Sequence, residues 1–164
     1  HFLQGFGHAD RKFHFKADWA NVGRVPEGVP AMPGHYDAIE EANDTHPYRL
    51  VAAPARNFLN SSFTETPTSQ DREGRPTALI HPDDCEAQGL SDGSLVRLGN
   101  ARGSVLVHAK PFDGLQRGVI VVESLWPNGA FIEGVGINLL IGADAVRPRG
   151  GAAFHDTAIW LKSA

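Results

Sequence analysis

In the middle of the chain apolar residues fall at every second position, and Gly, Asn and Asp interrupt them. Val96 and Leu98 mark the core side of SLVRL (residues 94–98), and Val105 and Val107 alternate with Ser104, Leu106 and His108. A period of two is the signature of a half-buried strand, so two strands are predicted, joined by the tight turn NARG (100–103). Just before them HPDDCEAQG (81–89) predicts a short helix. Pro82 suits a first helical position, Asp83, Asp84 and Glu86 place negative charge at the positive end of the helix dipole, and Gly89 supplies a left-handed stop. LSDG (90–93) reads as a turn. His81 to Gly103 is therefore a compact helix–turn–strand–turn–strand unit.

Further strands are predicted on both sides of this unit. Tyr48 to Ala53 is one, ended by Pro54, and Thr77 to Ile80 leads into the helix. GVIVVE (118–123) is a continuous apolar run of strand length and predicts a buried strand. WPNG (126–129) breaks it, residues 134–141 form a Gly-flanked loop or turn holding Asn138, and Thr157 to Leu161 is a closing strand. Residues 56–63 show no clear period, and Thr64 to Arg75 reads as a polar loop long enough to be functional or mobile. About six strands follow residue 48, spaced as in a sandwich or barrel, with one or two short helices. KFHFK (12–16) alternates like one exposed strand. Residues 20–47, with Pro26, Pro30, Pro33 and Pro47, predict an irregular connection with one or two helical turns from Asp37 to Ala42.

Composition narrows the function. A chain of 164 residues with 41% hydrophobic and 21% charged residues has room for one good-sized core plus an extension. Gly 18 and Pro 11 favour short strands and turns over long helices. A net charge of -4 and the lack of any Lys/Arg cluster argue against a nucleic-acid backbone as partner, although a few Arg and backbone N–H groups could hold a small anion. No apolar run reaches the roughly 18 residues a membrane span needs. The first residue is His1 and no leader precedes it, so the chain reads as a fragment or processed piece. Cys85 stands alone, which excludes an intrachain disulfide and a cysteine-based metal site and suggests a cytoplasmic origin. The NDT and NSS sequences at Asn43 and Asn60 are read as chance matches to the glycosylation pattern.

Most familiar catalytic patterns are missing. The eight His residues are scattered without ligand spacing, and there is no G-x-S-x-G elbow, Walker loop or G-x-G-x-x-G. His155 and Asp156 are neighbours on a predicted strand approach, where successive side chains point apart, so no Ser-His-Asp triad is built on them.

Five segments, in order, resemble the C-terminal molybdopterin-guanine-dinucleotide-binding domain of the molybdenum and tungsten oxidoreductases, the family of formate dehydrogenases, nitrate reductases and dimethyl-sulfoxide-reductase-type enzymes. They are Tyr48 to Ser62 (a strand, then Arg, then Asn-Ser), HPDD…GLSDGSLVRLGNARG, GVIVVESLWPN, GIN with Asn138, and GGAAFHDTAIWL. The resemblance spans about Pro47 to Lys162, and residues 1–19 resemble the end of a preceding catalytic region. It implies a mainly β fold, a double-psi β-barrel with short helices, covering residues 48–164 after an extension over 1–47.

It also implies a pterin cofactor held by loops: Arg56, Asn57, Phe58, Asn60, Ser61 and Ser62 after the first barrel strand, then Trp126, Asn138, Leu139 and His155. Those residue types suit the task. Arg grips a phosphate or pterin carbonyl through a fork of donors, and Asn offers donor and acceptor together. Ser hydroxyls with backbone N–H groups hold phosphate oxygens, and Trp supplies a flat wall. Several family members carry His or Tyr where this sequence has Asn60 and Ser61. No catalytic residue and no metal ligand is implied within the domain, and Cys85 is not assigned to the metal.

The implied cofactor is bis-molybdopterin guanine dinucleotide with Mo or W in the full-length enzyme, with none expected on the isolated domain, which should be inactive. The implied partners are the catalytic domains of the same polypeptide and the pterin, with no nucleic acid and no membrane. The rival reading is a stand-alone double-psi barrel acting as a binding or interaction module without redox activity. A pyruvoyl decarboxylase variant of the barrel would need a self-cleaving Gly-Ser pair, and Gly93-Ser94 and Gly103-Ser104 sit in ordinary turn-to-strand contexts.

Overall fold

In the computed structural model the described residues are 2–16, 18, 21, 32, 40–123, 125–143, 145–146, 151–152 and 157–164. Two compact units are present, His1–Ala38 with Ala145–Ala152, and Ile39–Asp144 with Ala153–Ala164.

The second unit holds β1 (Tyr48–Ala53), α1 (Pro67–Glu73), β2 (Thr77–Ile80), α2 (Pro82–Ala87), β3 (Leu95–Asn100), β4 (Gly103–Pro111) and β5 (Val119–Glu123). The two-residue strands β6 (Ala145–Val146) and β7 (Gly151–Ala152) pair antiparallel in the first unit, and β8 (Thr157–Ser163) completes the second. Six strands close into a barrel in the order β1-β5-β2-β4-β3-β8. Two pairs, β1 with β5 and β2 with β4, run parallel, and the other four are antiparallel. Neither parallel pair is consecutive in sequence, so the chain crosses over the barrel to make each one. This is the double-psi β-barrel.

Alternation fills the barrel. Leu50, Ile80, Val96, Leu98, Val105, Ile120, Val122 and Ile159 are fully buried, and each such aliphatic side chain contributes about 1.5–3 kcal/mol through lost apolar exposure. The GVIVVE run behaves differently from the continuous buried strand its composition predicts. Ile120 and Val122 point inward, while Val119 and Val121 are only half-buried. Closing the barrel gives each strand one inner and one outer face, so a run apolar on both sides still alternates.

α2 starts and stops as predicted. The His81 ring accepts the Asp83 N–H, Pro82 occupies the first turn, and Gly89 at φ 65° turns the chain back so that the Leu90 N–H reaches the Cys85 carbonyl at 2.8 Å. Asp84 is buried because it has a task. It accepts the Gly118 N–H at 2.7 Å and lies 3.4 Å from the Arg117 guanidinium, which ties the helix to the start of β5. Cys85 lies in the core with its thiol pushed up by burial, then by the nearby Asp84 charge, so it is a poor nucleophile.

Two local expectations need correction. The polar stretch 64–75 is not all loop, because α1 occupies Pro67–Glu73 with Pro67 in its first turn. It has no buried residue and so no apolar stripe, which is why periodicity misses it. Residues 12–16 form no strand. Phe13 packs against both Phe6 and Phe15, edge-on to Phe15 at 4.9 Å, and the backbone is held by local turns such as Arg11 N–H to the His8 carbonyl. Of the helical turns expected from Asp37 to Ala42, residues 37–39 lie outside the described residues and Glu40 to Ala42 are irregular.

Candidate functional site at one end of the barrel

Strand register places the loops. Ala53, the last residue of β1, pairs with Glu123, the last of β5. β2 runs opposite to β5, with Ala78 beside Val122, so it enters at this same end. β4 runs with β2 from a start further out, and its first residue Gly103 pairs with Asn100, the last of β3. β8 begins here too, with Thr157 opposite Leu50. The connection 54–76, the turn 100–103 and the long connection after Glu123 therefore all emerge at one end. The other end carries α2 and the loop 112–118. Arg56, Asn57, Phe58, Asn60, Ser61, Ser62, Trp126, Asn138 and Leu139 all belong to loops of the first end. His155 lies outside the described residues.

The loop after β1 is built before any ligand arrives. Phe58 is buried and meets Trp126 edge-on, with ring centroids 4.8 Å apart, which joins the connection after β5 to the loop after β1. The Asn57 backbone N–H and its side-chain amide both donate to the Glu73 carboxylate, at 2.6 and 2.7 Å, so the last residue of α1 fixes where Asn57 sits. Leu59 and Ser62 exchange two backbone hydrogen bonds, at 3.1 and 2.8 Å, and make a tight turn whose tip is Asn60 and Ser61. Buried Thr64 donates its hydroxyl to the Ser61 carbonyl, and the Gln70 amide of α1 donates to the Thr64 carbonyl.

Two non-glycine residues in this loop have positive φ, Asn60 at 52° and Phe63 at 69°. Asn tolerates that region, whereas Phe is strained there, and such strain persists only where surrounding bonds impose it. The result is an outward display. Arg56, Asn60, Ser61 and Ser62 are exposed, as are Leu59 at 65% and Phe63 at 56%. Among the described residues no carboxylate pairs with Arg56 or Arg72, so these two guanidinium groups have no counter-ion among the described residues. A cleft of about 220 Å³ opens beside α1, lined by Arg72, Glu73, Arg75, Lys110, Glu123 and Trp126 among others.

Asn138 and Leu139 sit on a second patch of the same end. They occupy a 3₁₀ turn, Ile137–Leu140, whose outer members Ile137 and Leu140 are buried while Asn138 and Leu139 are exposed. Leu139 lies over the β3–β4 turn, where a Cβ on Gly103 would stand 2.6 Å from its Cδ2. The Leu140 carbonyl accepts from Arg102 Nε at 2.9 Å, Arg102 Nη2 at 2.7 Å and Asn100 Nδ2 at 2.9 Å. Arg102 Nη1 also meets Glu40 at 2.6 Å, and that bond holds the Glu40 carboxyl below its ordinary range against the opposing effect of its partial burial.

Thus the structure joins Phe58 to Trp126 directly and Asn57 to α1, and it places Asn138 and Leu139 on the β3–β4 turn at the same end. Glu73, Asn100 and Arg102 shape this end without having been singled out from sequence. Glu73 is sixteen residues from Asn57, and Asn100 and Arg102 read as ordinary turn residues. No helix among the described residues is long and apolar enough to cross a membrane, and among them no group of His, Cys, Asp and Glu could hold a metal ion.

Comparison with known proteins gives this end a context. Residues 48–158 match the family described as "Molydopterin dinucleotide binding domain". The "Probable oxidoreductase YoaE" of Bacillus subtilis is 33% identical over 100 residues, 61% of this chain and 14% of that protein. The "Biotin sulfoxide reductase" of Cereibacter sphaeroides is 33% identical over 115 residues, 69% of this chain and 14% of that protein. The chain thus spans about one seventh of the length of these relatives. Among solved structures, acetylene hydratase from Pelobacter acetylenicus shares the fold with a TM-score of 0.60 at 17% identity, covering 73% of this chain and 18% of that one. With the family match running from the first residue of β1 into β8, the chain belongs to the molybdopterin dinucleotide-binding domain family.

Proposed function

We propose that this chain is the C-terminal, cofactor-clasping domain of a molybdopterin-dependent oxidoreductase, and that the barrel end carrying residues 54–66, Trp126 and the Ile137–Leu140 turn faces the cofactor. The observation that carries this reading is the convergence of both loop systems on one end, where Arg56, Asn60, Ser61 and Ser62 are exposed. The donor set fits a pterin dinucleotide, which is an anionic diphosphate joined to flat heterocycles rich in hydrogen-bonding edges. Arg56 would supply a charge-assisted fork to a phosphate or carbonyl. Asn60, Ser61 and Ser62 would offer amide, hydroxyl and turn N–H groups to polar edges. Asn57, already fixed by Glu73, keeps its side-chain carbonyl as an acceptor, and Phe58 acts by holding Trp126 as a wall. Asn138 and Leu139 would bear on a second part of the same large molecule, with His155 completing the set.

In this family the bound cofactor supplies a redox-active metal centre. This domain's residues bind and orient it and exclude water from it. The bis form with Mo or W is our reading for the full protein, and catalytic domains of the same polypeptide would hold the metal ligand and the substrate. Relatives several times longer than this chain, of which the match covers 14%, support that division of labour, and the isolated domain should show no turnover. They also favour it over a stand-alone interaction module.

The test is Arg56→Ala in the full-length protein. Losing one charge-assisted bond, worth about 1.5–3 kcal/mol, should weaken cofactor retention roughly ten- to hundredfold. Molybdopterin content per polypeptide should therefore drop. Content equal to the parent's would overturn the assignment of Arg56 to cofactor binding.

A further inference from the structure

Arg102 stands in a tight turn, yet its bonds reach well beyond it. Nε and Nη2 clamp the Leu140 carbonyl at 2.9 and 2.7 Å, and Nη1 reaches Glu40 Oε1 at 2.6 Å. The other Glu40 oxygen takes the Ala158 N–H at 3.0 Å. Asn100 supports the clamp from both sides, since its amide donates to the same Leu140 carbonyl and its oxygen accepts the Arg102 N–H at 3.0 Å. A turn of four residues has little hydrogen bonding of its own, and a terminal carbonyl such as that of Leu140 would otherwise look to water. Buried Ile137 and Leu140 anchor the turn on the core side, and this clamp fixes its remaining freedom. What is left pointing out is Asn138 and Leu139.

We infer that Arg102 is a positioning residue for cofactor binding, acting through the Ile137–Leu140 turn to set the direction of the Asn138 side chain. The inference rests on the cofactor reading of this barrel end. Arg102 itself bonds Leu140 and Glu40 through Nε, Nη2 and Nη1, and acts on the ligand through the turn. Its contribution is pre-organisation, because a turn already held in its binding geometry loses less freedom when the ligand arrives. Lysine cannot replace it well, since an ammonium on a flexible stem lacks the fork that engages a carbonyl with two donors and a carboxylate with a third.

A mutant cycle on the full-length protein separates this role from a merely structural one. The forms are the parent, Arg102→Ala, Asn138→Ala, the double variant and Arg102→Lys. The readout is the rate at which molybdopterin is lost on dilution, followed by the fluorescence of the released, oxidised pterin, with a urea midpoint for each form. Each Ala variant should speed the loss several-fold, the double variant should be no faster than the faster single, and Arg102→Lys should fall between parent and Arg102→Ala. If the two effects multiply, or if Arg102→Ala keeps the parent rate, the positioning role is wrong, while a faster loss in Asn138→Ala leaves the cofactor reading standing. If Asn138→Ala keeps the parent rate, the role of Asn138 in binding falls, and the inference falls with it.

Discussion

A single hydrogen in place of a side chain decides one contact in the wall of this barrel. Gly99 of β3 lies opposite Trp160 of β8, and a Cβ there would stand 2.2 Å from the indole Cζ2. The ring is held in place from outside by Lys162, whose ammonium lies 4.9 Å from the ring centroid. Gly99→Ala should therefore destabilise the fold by about 1–3 kcal/mol, as overpacking does, and the shift should appear as a lower urea midpoint with an unchanged slope. Sequence shows Gly99 only as one more glycine near a turn, because its reason lies far along the chain. Asp84 is the opposite case. Its position two residues after Pro82 fits a helix start, while its bond from the Gly118 N–H is a tertiary fact that spacing does not carry.

Among the elements, legibility follows burial. β1 to β5 and β8 each bury at least one apolar residue and are predictable from sequence within a few positions, and α2 announces itself by Pro82, its acidic first turn and Gly89. α1 lacks an apolar stripe and the 3₁₀ turn at Ile137–Leu140 is too short for one, so both hide among loops, yet they hold the candidate site residues in place. The strap before β1 shows what such ties do for stability. Glu40 accepts from Arg102 and from the Ala158 N–H, and its carboxyl is held below the ordinary value. A depressed folded-state pKa means that the stabilisation is present above the unfolded value, about 4.3 for glutamate, and is lost as pH falls through the folded value. Glu133, paired with Arg97 at 2.7 Å, acts in the same direction. Between about pH 6 and about pH 3 the parent's urea midpoint should fall more steeply than that of Glu40→Gln. Parallel profiles would show that the strap contributes nothing to acid sensitivity.

At the scale of the whole domain, the double-psi crossing makes two ends that are built differently. One end is closed by α2 and its bonds to β5. The other gathers the two long connections, from β1 to β2 and from β5 towards β8. Strand spacing alone predicts a sandwich or barrel, and the resemblance of the ordered segments to a known family is what implies the double-psi crossing. The posture of the site was not legible. It depends on Glu73 reaching Asn57, on Phe58 finding Trp126, and on Arg102 holding Leu140, all contacts between residues far apart or read as turn-formers.

The claim that one end holds the cofactor is tested most directly by comparing the two ends. The measurement is molybdopterin content per polypeptide in the full-length protein, for a variant with Asn60, Ser61 and Ser62 all changed to Ala and for a variant with Asp113 and Gln116 changed to Ala at the opposite end. All five residues are exposed, so neither variant removes core. Depleted cofactor in the first variant with parental content in the second is the predicted result. Equal content in both, or depletion only in the second, would contradict the account.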